Sequence, residues 1–171
     1  MGMDVYGKKS TDPKGEYFRN NVWWWHPLAD YIETNHPSIA ARCADWHSNS
    51  GYGLDADDSI ALAAELRDAI SDGRAAAYQA RHDAVRAALP RLKCDLCDGT
   101  GVRCDQVGVQ MGQPDKVIDE PGHPRHGQTG WCNGCTGHGT REDFKASYWF
   151  SVENLSEFAD FLADCGGFEI N

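Results

Sequence analysis

Two stretches, CDLCDGTG at 94–101 and CNGCTGHG at 132–139, follow one pattern, C-x-x-C-x-G-x-G, with 34 residues between their inner cysteines. Zinc takes four ligands tetrahedrally, and a thiolate sulfur sits about 2.3 Å from it. Two cysteines three apart reach one ion only if the backbone turns tightly between and after them. Glycine supplies the positive φ angles of such a turn and lets amides approach sulfur. Cys94 and Cys97 from one stretch, with Cys132 and Cys135 from the other, complete a shell for one Zn²⁺. Four free thiols would leave Gly99, Gly101, Gly137 and Gly139 without a reason. Four thiolates leave no open position, so the site is expected to be structural, stapling the intervening excursion onto the rest of the chain.

Three cysteines remain of seven, an odd number that argues against a purely disulfide framework. Cys104 is either an alternative ligand or a spare thiol beside the site. His138 competes as a ligand only by displacing a thiolate. Cys43 and Cys165 fall on apolar helix faces and read as core.

Around this pair the sequence reads mainly as helix. Residues 1–27 are irregular or extended, with a turn cluster at TDPKG, 11–15. Pro27 suits the first turn of a short helix over 28–35, and Ile39 to Trp46 reads as a second. HSNSGYGLD at 47–55 is a polar loop ending in Asp55, a fitting N-cap for a helix to about Ser71 whose apolar face is Ile60, Ala63, Leu66 and Ile70. Asp57 and Asp58 suit the positive end of its dipole. A further helix runs from Arg74 to Leu89, with Tyr78, His82, Val85 and Leu89 on one stripe; His82 reads as a satisfied core histidine. ASYWFSV, 146–152, alternates like a strand. Asn154 with Glu157 resembles a capping box for a last helix, which Gly166-Gly167 stops before a short terminal strand, FEI. The expected fold is α+β, a small helical body with a short β-sheet that includes 146–152 and an inserted zinc-knuckle lobe. The expected parts are 1–92, mainly helical; 93–141, the knuckle insertion; and 142–171, completing the body.

Sixteen basic residues against 26 acidic ones give a formal charge of −10. Residues 28–73 hold nine acids and two arginines, and residues 151–171 hold five acids and no Lys or Arg. Phosphate backbones are held by Lys and Arg, so nucleic-acid binding is disfavoured, while a protein partner suits acidic helix faces. The expected location is the cytoplasm: no apolar run of membrane-spanning length occurs, and MGMDVYGKK lacks the apolar core of a signal peptide.

No G-x-S-x-G elbow, phosphate-binding P-loop or H-E-x-x-H is present, and no catalytic residue is assigned. Two polar segments, 19–26 and 47–55, could line a pocket for a small molecule or nucleotide. Its candidate residues are Arg19, Asn21, Trp24, His26, His47 and Asn49. Of Trp23, Trp24 and Trp25, which point in different directions, at least one is expected to be exposed or covered by another segment.

Over residues 94–139 the knuckles resemble the repeats of the DnaJ-type cysteine-rich zinc domain, which implies zinc held by paired knuckles. That domain has four repeats and two zinc sites, whereas this chain has two repeats and room for one. The His-Pro-Asp tripeptide of J-domains is absent: the His-Pro pairs continue as Leu28, Ser38 and Arg125. Through MDVYGKK at 3–9, GEYFRNNVWWWHPL at 15–28, DEPGHPRHGQTGWCNGC at 119–135 and FSVENLSEFADFLADCGGFEI at 150–170, the chain also resembles a group of small proteins encoded by bacteriophages and bacteria. That resemblance implies a phage or bacterial genomic context and little chemistry; an expected role that fits it is a phage accessory protein acting on a host protein in the host cytoplasm.

Overall fold

The computed structural model describes residues 2–111 and 116–171. Contacts divide the chain into two compact units, residues 2–87 with 147–171 and residues 88–146. The architecture is α+β, helices with a small antiparallel sheet.

In the first unit, GMDVYG alternates inward and outward and forms β1 (Gly2–Gly7), with Met3 and Val5 buried. It pairs antiparallel with β2 (Tyr17–Asn21), Met3 opposite Asn20 and Val5 opposite Phe18. Residues 2–7 and 17–21 are thus regular strands within a region that reads as merely extended. Val5 also faces Ile170 of the terminal strand Phe168–Ile170, so the order places β1 in the middle. The outer edge of the terminal strand is covered by the loop before the third helix: Phe168 N–H donates to Leu54 C=O at 3.0 Å and Ile170 N–H to Tyr52 C=O at 2.8 Å.

The first helix, α1 (Val22–Asn35), starts six residues earlier than Pro27 suggests. Asn21 decides this: its Oδ1 accepts from the amides of Trp23 and Trp24 at 3.0 and 3.3 Å, a side-chain cap. Pro27 therefore sits inside the helix, where it cannot donate to the carbonyl of Trp23. That carbonyl accepts the amide of Trp149 instead, at 2.9 Å. The second helix is shorter than the pattern over 39–46 suggests: α2 (Pro37–Ala40) ends in turns, because Trp46 leaves the helical path to bury itself.

Helix α3 (Ala56–Ser71) begins as expected, Asp55 Oδ1 accepting from the amide of Asp58 at 2.9 Å. Its buried face is turned from the expected one. Ser59, Leu62, Ala63, Leu66 and Ala69 are buried, Ile70 is only partly covered and Ile60 is 56% exposed. Small Ser59 and Ala69 allow close packing against the last helix of the chain, and the Ser59 hydroxyl donates back to the Asp55 carbonyl at 2.6 Å.

Helix α4 (Arg74–Ala87) buries only Ala75 completely, and Val85 of the expected stripe is 67% exposed. His82 lies half-buried between Tyr78 and Phe150, and its Nδ1 has no hydrogen-bond partner among the described residues. Burial holds its imidazole below the usual value.

Residues 146–152 are not a strand. A 3₁₀ turn ends at Ser147, residues 148–151 carry no regular structure, and the last helix starts at Val152. All three consecutive aromatics pack onto α1, and the last also reaches α4: Tyr148 meets Trp23, Trp149 stacks on Trp24, and Phe150 sits between Tyr31 and Tyr78. Helix α6 (Val152–Asp164) is capped by Ser151, whose Oγ accepts from Asn154 N–H at 3.1 Å, three residues ahead of the expected cap. The side chain of Asn154 instead accepts from Asn20 at 2.7 Å.

The core is aromatic. Trp25 stacks on Trp46 with ring centres 6.4 Å apart and meets Phe158 edge-on at 5.6 Å; Phe158 in turn meets Phe168. Burial of each such side chain contributes about 1.5–3 kcal/mol. Cys43 and Cys165 are buried here, and burial pushes the Cys43 thiol up to about 11, making it inert.

The second unit carries little regular structure. Strand β3 (Leu92–Lys93) pairs with residues Thr140–Arg141; α5 is Gln106–Gln110; β4 (Lys116–Val117) pairs with β5 (Thr129–Gly130). Its buried cluster consists of four cysteines. In chain order the pair Thr140–Arg141 is β6 and Phe168–Ile170 is β7. No helix among the described residues is long and apolar enough to cross a membrane.

Candidate metal centre

Each knuckle is built by its own backbone and then completed by the other. Within the first, Gly99 N–H donates to Cys94 C=O at 3.1 Å and Thr100 N–H to Cys97 C=O at 3.1 Å; within the second, Gly137 donates to Cys132 at 3.0 Å and His138 to Cys135 at 3.0 Å. Across the pair, Cys94 N–H donates to Gly139 C=O at 2.9 Å and Cys132 N–H to Gly101 C=O at 3.1 Å. The arrangement is a local two-fold, as the repeated sequence demands. Gly101 and Gly139 have φ of 76° and 77°. A Cβ on Gly101 would stand 2.4 Å from the Gly137 carbonyl oxygen, and one on Gly139 would stand 2.2 Å from that of Gly99. Only glycine fits at either position.

The four sulfurs converge. Cys94 Sγ lies 3.8 Å from Cys132 Sγ, Cys97 Sγ lies 3.7 Å from Cys135 Sγ, and all four are within 4.8 Å of one another. A tetrahedron with metal–sulfur bonds of about 2.3 Å has edges of about 3.8 Å. Cys94, Cys97, Cys132 and Cys135 are all buried. Amides also point at sulfur: Gly101 N–H donates to Cys97 Sγ at 3.3 Å and Gly139 N–H to Cys135 Sγ at 3.2 Å. Such donors favour thiolate over thiol.

In the absence of a cation, burial opposes ionisation of Cys97 and Cys132. Burial and then the neighbouring Cys135 and Cys97 push Cys132 up to about 12. Burial also opposes ionisation of Cys94, but the amides of Leu96 and Cys97, the Cys97 thiol and the Cys132 thiol outweigh it and lower its pKa. A divalent cation supplies the missing positive charge, so these four residues could hold one metal ion. An S₄ donor set suits zinc or iron and not calcium or magnesium. Cys104, half-buried, and His138 lie outside this set.

The six candidate pocket residues are distributed over the first unit. Arg19 pairs with Asp4 at 3.6 Å on β1, and together with Asn21 it lines an open recess. Asn21 itself caps α1. Trp24 stacks on Trp149, ring centres 6.1 Å apart, beside another recess lined by Asn20, Ser151 and Glu157. Arg86 lies over the Trp149 ring, 3.4 Å from its centre. Asn49 Nδ2 donates to Gly2 C=O at 3.4 Å. Of the three tryptophans, Trp25 is fully buried.

His26 and His47 do meet. Their rings stack at 4.9 Å, with Nδ1 to Nδ1 at 2.7 Å. Burial and then the charge of His47 hold His26 below the usual imidazole value. His47 Nε2 faces two carboxylates, Glu33 Oε2 at 3.1 Å and Asp30 Oδ1 at 3.4 Å. Asp30 and Glu33 are absent from the sequence-based candidates. The signal is the spacing 26, 30, 33, four and then three residues, which shares a face only if the helix already runs through His26.

Comparisons with family models, curated proteins and solved structures return no match.

Proposed function

We propose that the chain is a zinc-stabilised, non-catalytic binding protein, an accessory factor of phage origin that acts on a host protein in the host cytoplasm. The closed shell of four buried sulfurs carries this reading. A site with four protein ligands offers no position to water or substrate, so its metal organises the fold. Zinc is the ion of the DnaJ-type knuckles that the sequence resembles. The acidic balance of residues 28–73 supports a protein partner over nucleic acid.

Two measurements test it. Elemental analysis of the purified chain should find one zinc per molecule, lost in Cys97→Ser with Cys135→Ser. Tagged protein incubated with bacterial lysate should retain a stoichiometric protein partner that survives physiological salt. Absence of bound metal, or a gel shift with nucleic acid at physiological salt, overturns the reading. The second reading is a small-molecule or nucleotide-binding protein, or a hydrolase, using residues 19–26 and 47–55. The His26–His47 contact favours it. A copurifying metabolite, or turnover lost in His47→Ala, would select it over the first.

A further inference from the structure

We infer that His47, Asp30 and Glu33 form a second, solvent-open site for a divalent transition-metal ion, with His26 as the residue that positions His47. The inference is independent of the sulfur site.

The fold brings the three ligands together from two elements. Helix α1 presents His26, Asp30 and Glu33 along one face. His47 comes from the loop that follows Trp46, and Trp46 is held firmly: its indole N–H donates to Ala40 C=O at 3.0 Å, and the indole N–H of Trp25 donates to its carbonyl at 2.6 Å. Trp25 is in the same helix as the two carboxylates. The His47 amide is further fixed on Asp45 Oδ1 at 2.8 Å.

The distances suit a metal. Adjacent ligands about 2.1 Å from an ion are about 3.0 Å apart in an octahedron and about 3.4 Å apart in a tetrahedron. His47 Nε2 is 3.1 Å from Glu33 Oε2 and 3.4 Å from Asp30 Oδ1, and the three ligand atoms lie within 4.8 Å of one another. Side chains of Asp30, Glu33 and His47 are 61%, 43% and 35% exposed, so water completes the shell. One imidazole and two carboxylates match the ions that prefer nitrogen and oxygen, Mn²⁺ among them.

His26 sets the tautomer. To bind metal, Nε2 of His47 must be unprotonated, which puts its proton on Nδ1. That N–H then donates to Nδ1 of His26, 2.7 Å away, as metal-bound histidines characteristically donate from the other nitrogen.

Mn²⁺ is the probe, because it does not compete for thiolates. The full chain, with its cysteine site loaded with zinc, is titrated with Mn²⁺ while free ion is followed by electron paramagnetic resonance. One Mn²⁺ per chain is expected. His47→Ala and Glu33→Gln should each weaken binding more than about tenfold, and His26→Phe by about tenfold, whereas His26→Gln, which keeps an acceptor, should retain affinity. Circular dichroism confirms that each variant is folded. Absent binding at millimolar Mn²⁺, or binding unchanged in folded His47→Ala and Glu33→Gln, overturns the site. Equal loss in His26→Phe and His26→Gln overturns the positioning role.

Discussion

The two units hold themselves together in different currencies. In residues 2–87 with 147–171, tryptophans and phenylalanines from α1, α6 and β7 interlock around Trp46. Among the described residues of 88–146 the clustered buried side chains are four cysteines, and the strands described are two residues long. A segment of about 60 residues buries too little apolar surface to be comfortably stable alone. What the first unit gains from area, the second would gain from coordination if its four sulfurs hold an ion. The difference teaches where each is vulnerable: one to loss of volume, the other to loss of charge neutralisation at sulfur.

The sharpest way to break the comparison is to remove the metal. Binding of a structural zinc contributes about 10–16 kcal/mol in small zinc-dependent folds. A strong chelator, or Cys132→Ser, should abolish amide protection throughout 88–146 and leave that of α3 and α6 intact, as read by hydrogen exchange. Collapse of protection in both units together would show that they do not depend on separate sources of stability. Next comes the reverse experiment. Trp46→Ala should cost the first unit about 3–5 kcal/mol in denaturant unfolding, with metal content unchanged. A smaller effect separates geometry from ligation. Gly139→Ala keeps every sulfur but forces a side chain onto the Gly99 carbonyl at a positive φ, so it should cost about 1–3 kcal/mol and weaken metal retention under chelator challenge. Smallest is Asn21→Ala, which removes the cap of α1 and should lower the stability of the first unit by about 1 kcal/mol in the same unfolding assay.

The same contrast explains what the sequence disclosed. Ligation leaves a local and discrete signature, cysteine and glycine at fixed spacing, and the two knuckles are legible residue by residue. The Asp55 cap is legible for the same reason: it is settled within four residues. Packing is settled by distant neighbours, and there the pattern misleads. Pro27 looks like a helix start, but Trp149, more than a hundred residues away, takes up the carbonyl that the proline leaves free. ASYWFSV alternates like a strand, yet its aromatics are spread over two helices, and α1 receives the Trp149 amide in place of a β partner. Ile60 looks like core because it is apolar, whereas the face that packs is the one with small Ser59 and Ala69. Asp30 and Glu33 share a face even in the shorter expected helix, but His26 joins that face only once the helix is known to start at Val22, and His47 reaches it from a distant loop.

The reciprocal bonding of the knuckles has a consequence for how the chain tolerates change. Each half-site is completed by a near copy of itself, so their meeting closes the residues between them into a tether, parts of which bond back to the knuckles, Arg125 Nη2 donating to Cys97 C=O at 3.2 Å. The entropic penalty of closing such a tether grows only logarithmically, about 0.6 kcal/mol for each doubling of its length. Insertions between Gly101 and Cys132 should therefore be far better accepted than a single residue added inside either knuckle. Two molecules at high concentration would have a complementary half to exchange, each lending one knuckle to the other, and a concentration-dependent dimer in size-exclusion chromatography would show it.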